Sequence, residues 1–145
     1  MNHFQRLFSV AILLAIAIGC SPQGPPRTPT FPVTGQVYVD GQPAAEQAVF
    51  FTNTNGVDKN QPTFSTANTD AEGKFKVSTY ESGDGIPEGT YAVTFMWGQV
   101  NLMTMSYGGP DKLNDRYSDP ETSTFKVTVK RGEPANMGKL LLTTK

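Results

Sequence analysis

Apolar side chains recur at every second position through most of this chain, and short runs of Gly, Asn, Asp and Pro interrupt them. Between Val33 and Val39, the apolar positions Val33, Val37 and Val39 alternate with polar or mixed partners, and Asp40-Gly41 follows as a hairpin signal. Ala48 to Thr52 is a short apolar strand, and 53–62 reads as polar loop. Phe64 to Thr69 runs into the turn chemistry of Asp70-Ala71-Glu72-Gly73. Lys74 to Thr79 then points Phe75 and Val77 inward and both lysines outward. Pro87-Glu88-Gly89 precedes the longest strand, on which Tyr91, Val93, Phe95 and Trp97 share one face. Thr124 to Lys130 sets Phe125, Val127 and Val129 against Lys126, Thr128 and Lys130, and Met137 to Thr144 closes the chain. No segment carries a helical period. Seven strands of this kind cannot bury their apolar faces in one open sheet, so two sheets packed face to face are expected. Residues 33–145 suffice for one such domain and are too few for two.

The N-terminus departs from this pattern. Met1 to Arg6 is a short segment with one arginine and no acid, and Leu7 to Ile18 is an apolar stretch broken only by Ser9. It is about 12 residues long, whereas roughly 20 are needed to cross a bilayer as a helix. The layout is that of an export signal. Cys20 follows Ala17-Ile18-Gly19, an arrangement that resembles a bacterial lipoprotein signal, although Ala17 stands where leucine is usual. The resemblance implies a signal peptide over 1–19, a lipid on Cys20 and cleavage just before it. Ala15-Ile16-Ala17 leaves open cleavage by an ordinary signal peptidase and a secreted protein. Ser21, in place of an aspartate, favours the outer membrane of the bacterial envelope.

Residues 20–32 contain the lipidated cysteine and a stretch, Ser21 to Pro32, with five prolines in twelve residues. That composition makes a spacer of about 35 Å if it adopts polyproline II, or a looser disordered tail.

Cleavage before Cys20 would alter the available chemistry. His3 is the only histidine and would leave with the signal, and acylation would occupy the only thiol. Serine–histidine and cysteine–histidine catalysis and ordinary zinc sites are then excluded. No cofactor is expected. Without Arg6 the net charge is about −2, and no basic patch of the kind nucleic acid requires is present. The expected partners are the membrane, through the lipid, and an envelope protein or glycan.

Gly35-Gln-Val37, Asp40-Gly41-Gln-Pro43 and Val49-Phe50-Phe51 resemble the opening of carboxypeptidase-regulatory-like domains. Thr69-Asp70-Ala-Glu-Gly73-Lys-Phe75 resembles their T-D-x-x-G-x-F turn, and Ile86-Pro87-Glu-Gly89-Thr-Tyr91 their P-x-G-x-Y entry to the following strand. The likeness covers roughly residues 33–97. It implies a transthyretin-like (prealbumin-like) Greek-key β-sandwich of about seven strands with a non-catalytic role. Arg116 to Ser123 before a Val-rich strand resembles small lipoproteins of planctomycete-type bacteria.

Two kinds of site are weighed. The segment 98–122 is long for a connection between strands. Trp97 with Tyr107 would stack a sugar ring, and Asp111, Asn114, Asp115, Asp119 and Glu121 would supply oxygens to calcium. Alternatively, Trp97 lies at the core margin, 100–107 is an edge strand or cover, and the acids are solvated turns. Glu81, Asp84 and Glu88, or Asp70 and Glu72, offer carboxylate pairs suited to glycoside hydrolysis, or else polar loop tips. A non-enzymatic interaction module is the expectation, and capture of carbohydrate or calcium by 98–122 is the alternative.

Overall fold

The computed structural model describes residues 27–59, 61–101, 103–104 and 106–145. The expected signal, Cys20 and the start of the spacer lie outside the described residues. The strands are β1 (Thr30–Phe31), β2 (Val33–Val39), β3 (Gln42–Pro43), β4 (Ala48–Asn53), β5 (Ser65–Asn68), β6 (Lys74–Lys76), β7 (Ile86–Pro87), β8 (Gly89–Met96), β9 (Gln99–Asn101), β10 (Ser106–Gly108), β11 (Lys126–Val129) and β12 (Ala135–Leu142). No helix occurs among the described residues, so the protein is all-β there.

One sheet has the order β11-β8-β4-β5, antiparallel throughout. In the other, β2 is central. It pairs in parallel with β12 on one side, and on the other side antiparallel with β6 along Thr34–Gln36 and with β3 at Tyr38–Val39. The two sheets share one core. Val37 and Val33 from β2, Val49 from β4, Val93 and Phe95 from β8 and Val129 from β11 are completely buried within it. Burial of each such side chain stabilises the fold by about 1.5–3 kcal/mol before the entropy of ordering is counted. The inward faces read from the period-two pattern of β2, β6, β8 and β11 are those observed, and on β8 the opposite face is covered as well, with Ala92 and Thr94 buried.

Turn chemistry acts as the residue types predict. Asp40 and Gly41 both have positive φ and close the two-residue β2–β3 hairpin. The Asp70 carboxylate accepts the Glu72 and Lys74 amides at 3.0 and 2.8 Å. Gly73 has φ +74°, and a Cβ there would stand 2.4 Å from the Val37 carbonyl oxygen. Only glycine fits that approach.

The strand directions define two poles. The proximal pole collects Arg27, the start of β2, the end of β4, and the starts of β5 and β8. The distal pole collects the β2–β3 turn, the Asp70–Gly73 turn and the segment after β8.

Residues 27–32, which the sequence suggests as the end of the spacer, are fastened to the proximal pole. The Arg27 guanidinium bonds Glu81 at 2.8 Å and stands 5.3 Å from the centre of the Tyr80 ring. The Thr28 amide donates to the Tyr80 hydroxyl, and the Thr28 hydroxyl donates to Gln61 Oε1 at 2.6 Å. β1 pairs antiparallel with β7. Residues 27–32 are thus part of the folded body.

Candidate functional site

The segment after β8 is the largest elaboration of the two-sheet body, and it lies at the distal pole. Among the described residues, β9 and β10 pair only with each other. A run of turns over 111–117 then carries Leu113 into the core, where it is completely buried. After it, Tyr117 and Phe125 meet Phe95 edge-on, with ring centres 6.3 and 5.2 Å away. Such pairs add about 0.5–1.5 kcal/mol each beyond the area they bury. The Tyr117 carbonyl accepts the Phe95 amide and its hydroxyl accepts the Thr143 amide, joining this segment to β8 and to the C-terminal residues. The sequence suggests solvated turns around the acids of this stretch, but between them it contributes a plug to the core. Leu113 is the signal for it, a lone large apolar residue among acids and amides.

Asp111 organises the turn. Its Oδ1 accepts the Trp97 amide at 2.8 Å and the Leu113 amide at 3.0 Å, and its Oδ2 accepts the Asp115 amide at 3.1 Å. The carboxylate is thus directed at three backbone donors. Asp119 accepts the amide of Glu121 at 2.9 Å, the turn initiation expected of Asp-Pro. Asn114 and Asp115 both take positive φ, which their short polar side chains tolerate. Among the described residues, no group of three or more His, Cys, Asp or Glu side chains converges to hold a metal. Asp111, Asp115, Asp119 and Glu121 are neighbours along a turn and do not form a shell.

Trp97 is half-buried against the core. Its indole N–H donates to the Ala45 carbonyl at 3.0 Å, and the Lys112 ammonium sits 4.6 Å from the ring centre. The N–H and one contact of the ring are therefore already taken within the protein, which is the core-margin reading. The Tyr107 side chain lies outside the described residues. Its backbone pairs with Val100 of β9.

The acids weighed for hydrolysis are also engaged. Asp84 accepts the amides of Thr79 and Tyr80, Glu81 pairs with Arg27, and Glu88 pairs with Arg131 at 3.3 Å. Tyr91, on the lead-in resembling P-x-G-x-Y, buries its ring and donates its hydroxyl to the Pro87 carbonyl at 2.9 Å. Burial pushes its phenol above the ordinary value. Asp40 is held below the usual carboxylate range, chiefly by the hydrogen bond from the Thr144 hydroxyl.

Two features were not anticipated. Gln47 is completely buried, and its carboxamide has no hydrogen-bond partner among the described residues; nothing in its sequence context marks it. The outer face of the β6-β2-β12 sheet presents Lys74, Lys76 and Lys139 around Thr34, Gln36 and Asn136. Lys74 and Lys76 share the outward face of β6 as their spacing implies, and Lys139 joins them only through strand pairing across Gln36.

No protein-family model matches the chain, and no curated protein matches it. Among solved structures, a 9R-lipoxygenase from Cyanothece PCC8801 is similar in shape over 95% of this chain, at 10% identity and a TM-score of 0.41. The chain spans about a fifth of that protein, 20% of its length.

Proposed function

We propose that this protein is a non-enzymatic lipoprotein of the bacterial envelope, acylated on Cys20, whose single domain serves a structural or protein-interaction role. The observation that carries the reading is the polarity of the fold. Arg27, seven residues after Cys20, is fastened at the proximal pole, and the elaborated segment 97–122 stands at the distal pole. A lipid on Cys20 would then hold the domain by one end and leave the other end facing an envelope protein or glycan. Ser21 favours the outer membrane.

The domain itself is read as transthyretin-like, of the carboxypeptidase-regulatory-like kind. Setting aside the two-residue β3, the two sheets hold seven strands, β5-β4-β8-β11 and β6-β2-β12, and the chain crosses repeatedly between them in Greek-key manner. Three of the motifs behind the resemblance also occupy mechanically sensible places: the β2–β3 hairpin, the Asp70–Gly73 turn and the Tyr91 bond to Pro87. The engagement of Asp70, Asp84 and Asp111 with backbone amides, and of Glu81 and Glu88 with arginines, supports a role other than catalysis.

A Cys20→Ala variant expressed in its own envelope is expected to lose both fatty-acid labelling and membrane fractionation. Undiminished labelling of that variant would overturn the anchor.

A further inference from the structure

The proximal pole carries two large exposed apolar side chains, Phe64 at 79% and Val57 at 55% exposure. An exposed phenylalanine is unremarkable by itself. These two, however, line one groove together with Pro87 and with Thr28, so they lie beside the point where the chain leaves towards Cys20. Thr28 is itself bonded to the 54–64 loop through Gln61. The two ion pairs, Arg27–Glu81 and Arg131–Glu88, neutralise carboxylates at this same pole. Glu72, Asp111 and Asp115 lie at the other pole, whereas Asp58, on the rim of the groove, and Glu133, after β11, remain at this one.

Reach decides which way the domain faces. Six residues separate Cys20 from Arg27, and the seven steps between them span at most about 25 Å fully extended. A domain of this length has a radius of gyration near 13 Å and hence a diameter of about 35 Å. A tether shorter than the domain and fixed at one pole cannot let the opposite pole turn down onto the surface. The proximal pole is the one kept within reach of the bilayer.

We propose that the proximal pole is a lipid-contact face, with Phe64 and Val57 entering the headgroup region of the membrane that holds acylated Cys20. The inference rests on the lipoprotein reading and adds a second point of attachment to it. Amphipathic contact of this kind is weak alone, but the tether keeps the two side chains at high effective concentration near the lipid. The consequence is a fixed orientation, with segment 97–122 held outward.

The test uses the full acylated chain in phosphatidylcholine vesicles with brominated acyl chains, which quench nearby indoles. Trp97 is the only native tryptophan and lies at the distal pole, so the wild type supplies the baseline. A Phe64→Trp variant is expected to gain an emission component that is blue-shifted and lost on bromination, while Trp97 emission is unchanged. If the variant floats with the vesicles and its added indole is quenched no more than Trp97, the lipid-contact face is wrong although the anchor stands. If the chain carries no acyl mass and does not float, the lipoprotein reading fails and the face fails with it. Quenching of Trp97 in the wild type would reverse the orientation and overturn the proposal.

Discussion

Replacing Asp111 tests whether the acidic stretch of the distal segment is architecture or a cation site. Its carboxylate accepts three backbone amides, two of them part-buried, those of Trp97 and Leu113. In Asp111→Ala those donors lose their acceptor. Each unpaired buried donor costs about 1–3 kcal/mol, with partial access to water pulling the figure down, so a total near 2–3 kcal/mol is expected. Asp111→Asn keeps one oxygen for the Trp97 and Leu113 amides and turns an N–H₂ towards the Asp115 amide, for a loss of about 1 kcal/mol. At about 4 °C per kcal/mol for a domain of this size, the melting temperature falls by about 4 °C in the asparagine variant and about 8–12 °C in the alanine variant. Urea and thermal unfolding followed by Trp97 emission read both, because the Trp97 amide is one of the three donors. The measurement is repeated with calcium in excess, which should move neither protein. An alanine variant as stable as wild type would refute the structural role. A calcium-dependent rise in wild-type melting temperature, absent from both variants, would refute the whole line of reasoning in favour of a metal site.

Gly85→Ala is expected to unfasten the N-terminal strap. Gly85 has φ +93°, and a Cβ there would stand 2.0 Å from the Phe31 carbonyl oxygen, so β1 must leave β7. Trypsin cleavage after Arg27 should then accelerate. Gly56→Ala, at φ +86° with nothing within 4 Å, should lose only about 1 kcal/mol and leave Arg27 protected. Equal cleavage in the two variants would refute the strap. Acid should weaken the join between Asp40 and the C-terminal residues. The folded Asp40 carboxyl titrates below its ordinary 3.8, so in the window beneath 3.8 the unfolded chain binds more protons, and stability falls as pH falls through it. Asp40→Asn, which tolerates the same positive φ, should flatten that part of the urea-midpoint profile; an unchanged slope would discard the assignment.

Much of the fold was legible because a strand writes its two faces into neighbouring residues. The inward sets Val33–Val37–Val39, Phe75–Val77 and Tyr91–Val93–Phe95 follow from local pleating alone, as do the Asp40-Gly41 hairpin and the Asp70–Gly73 turn. The signal-like N-terminus and the lack of histidine beyond residue 3 are likewise properties of order and composition. Pairing between distant strands is a different matter, since one period-two pattern fits many neighbours. That β2 lies parallel to β12, a hundred residues away, is decided by the crossing of the chain between sheets at the proximal pole. The same holds for the site. Asp111 reads as a calcium ligand or a loop acid until the Trp97 amide, fourteen residues earlier, is brought to it. Residues 27–32 read as spacer until Tyr80, Glu81 and β7 offer them partners. Alternation, turns and the chemistry available to the chain are local properties of residue order. The pole to which Arg27 and β1 are fastened follows from pairing with Glu81 and β7, because polarity arises from where strands begin and end in space.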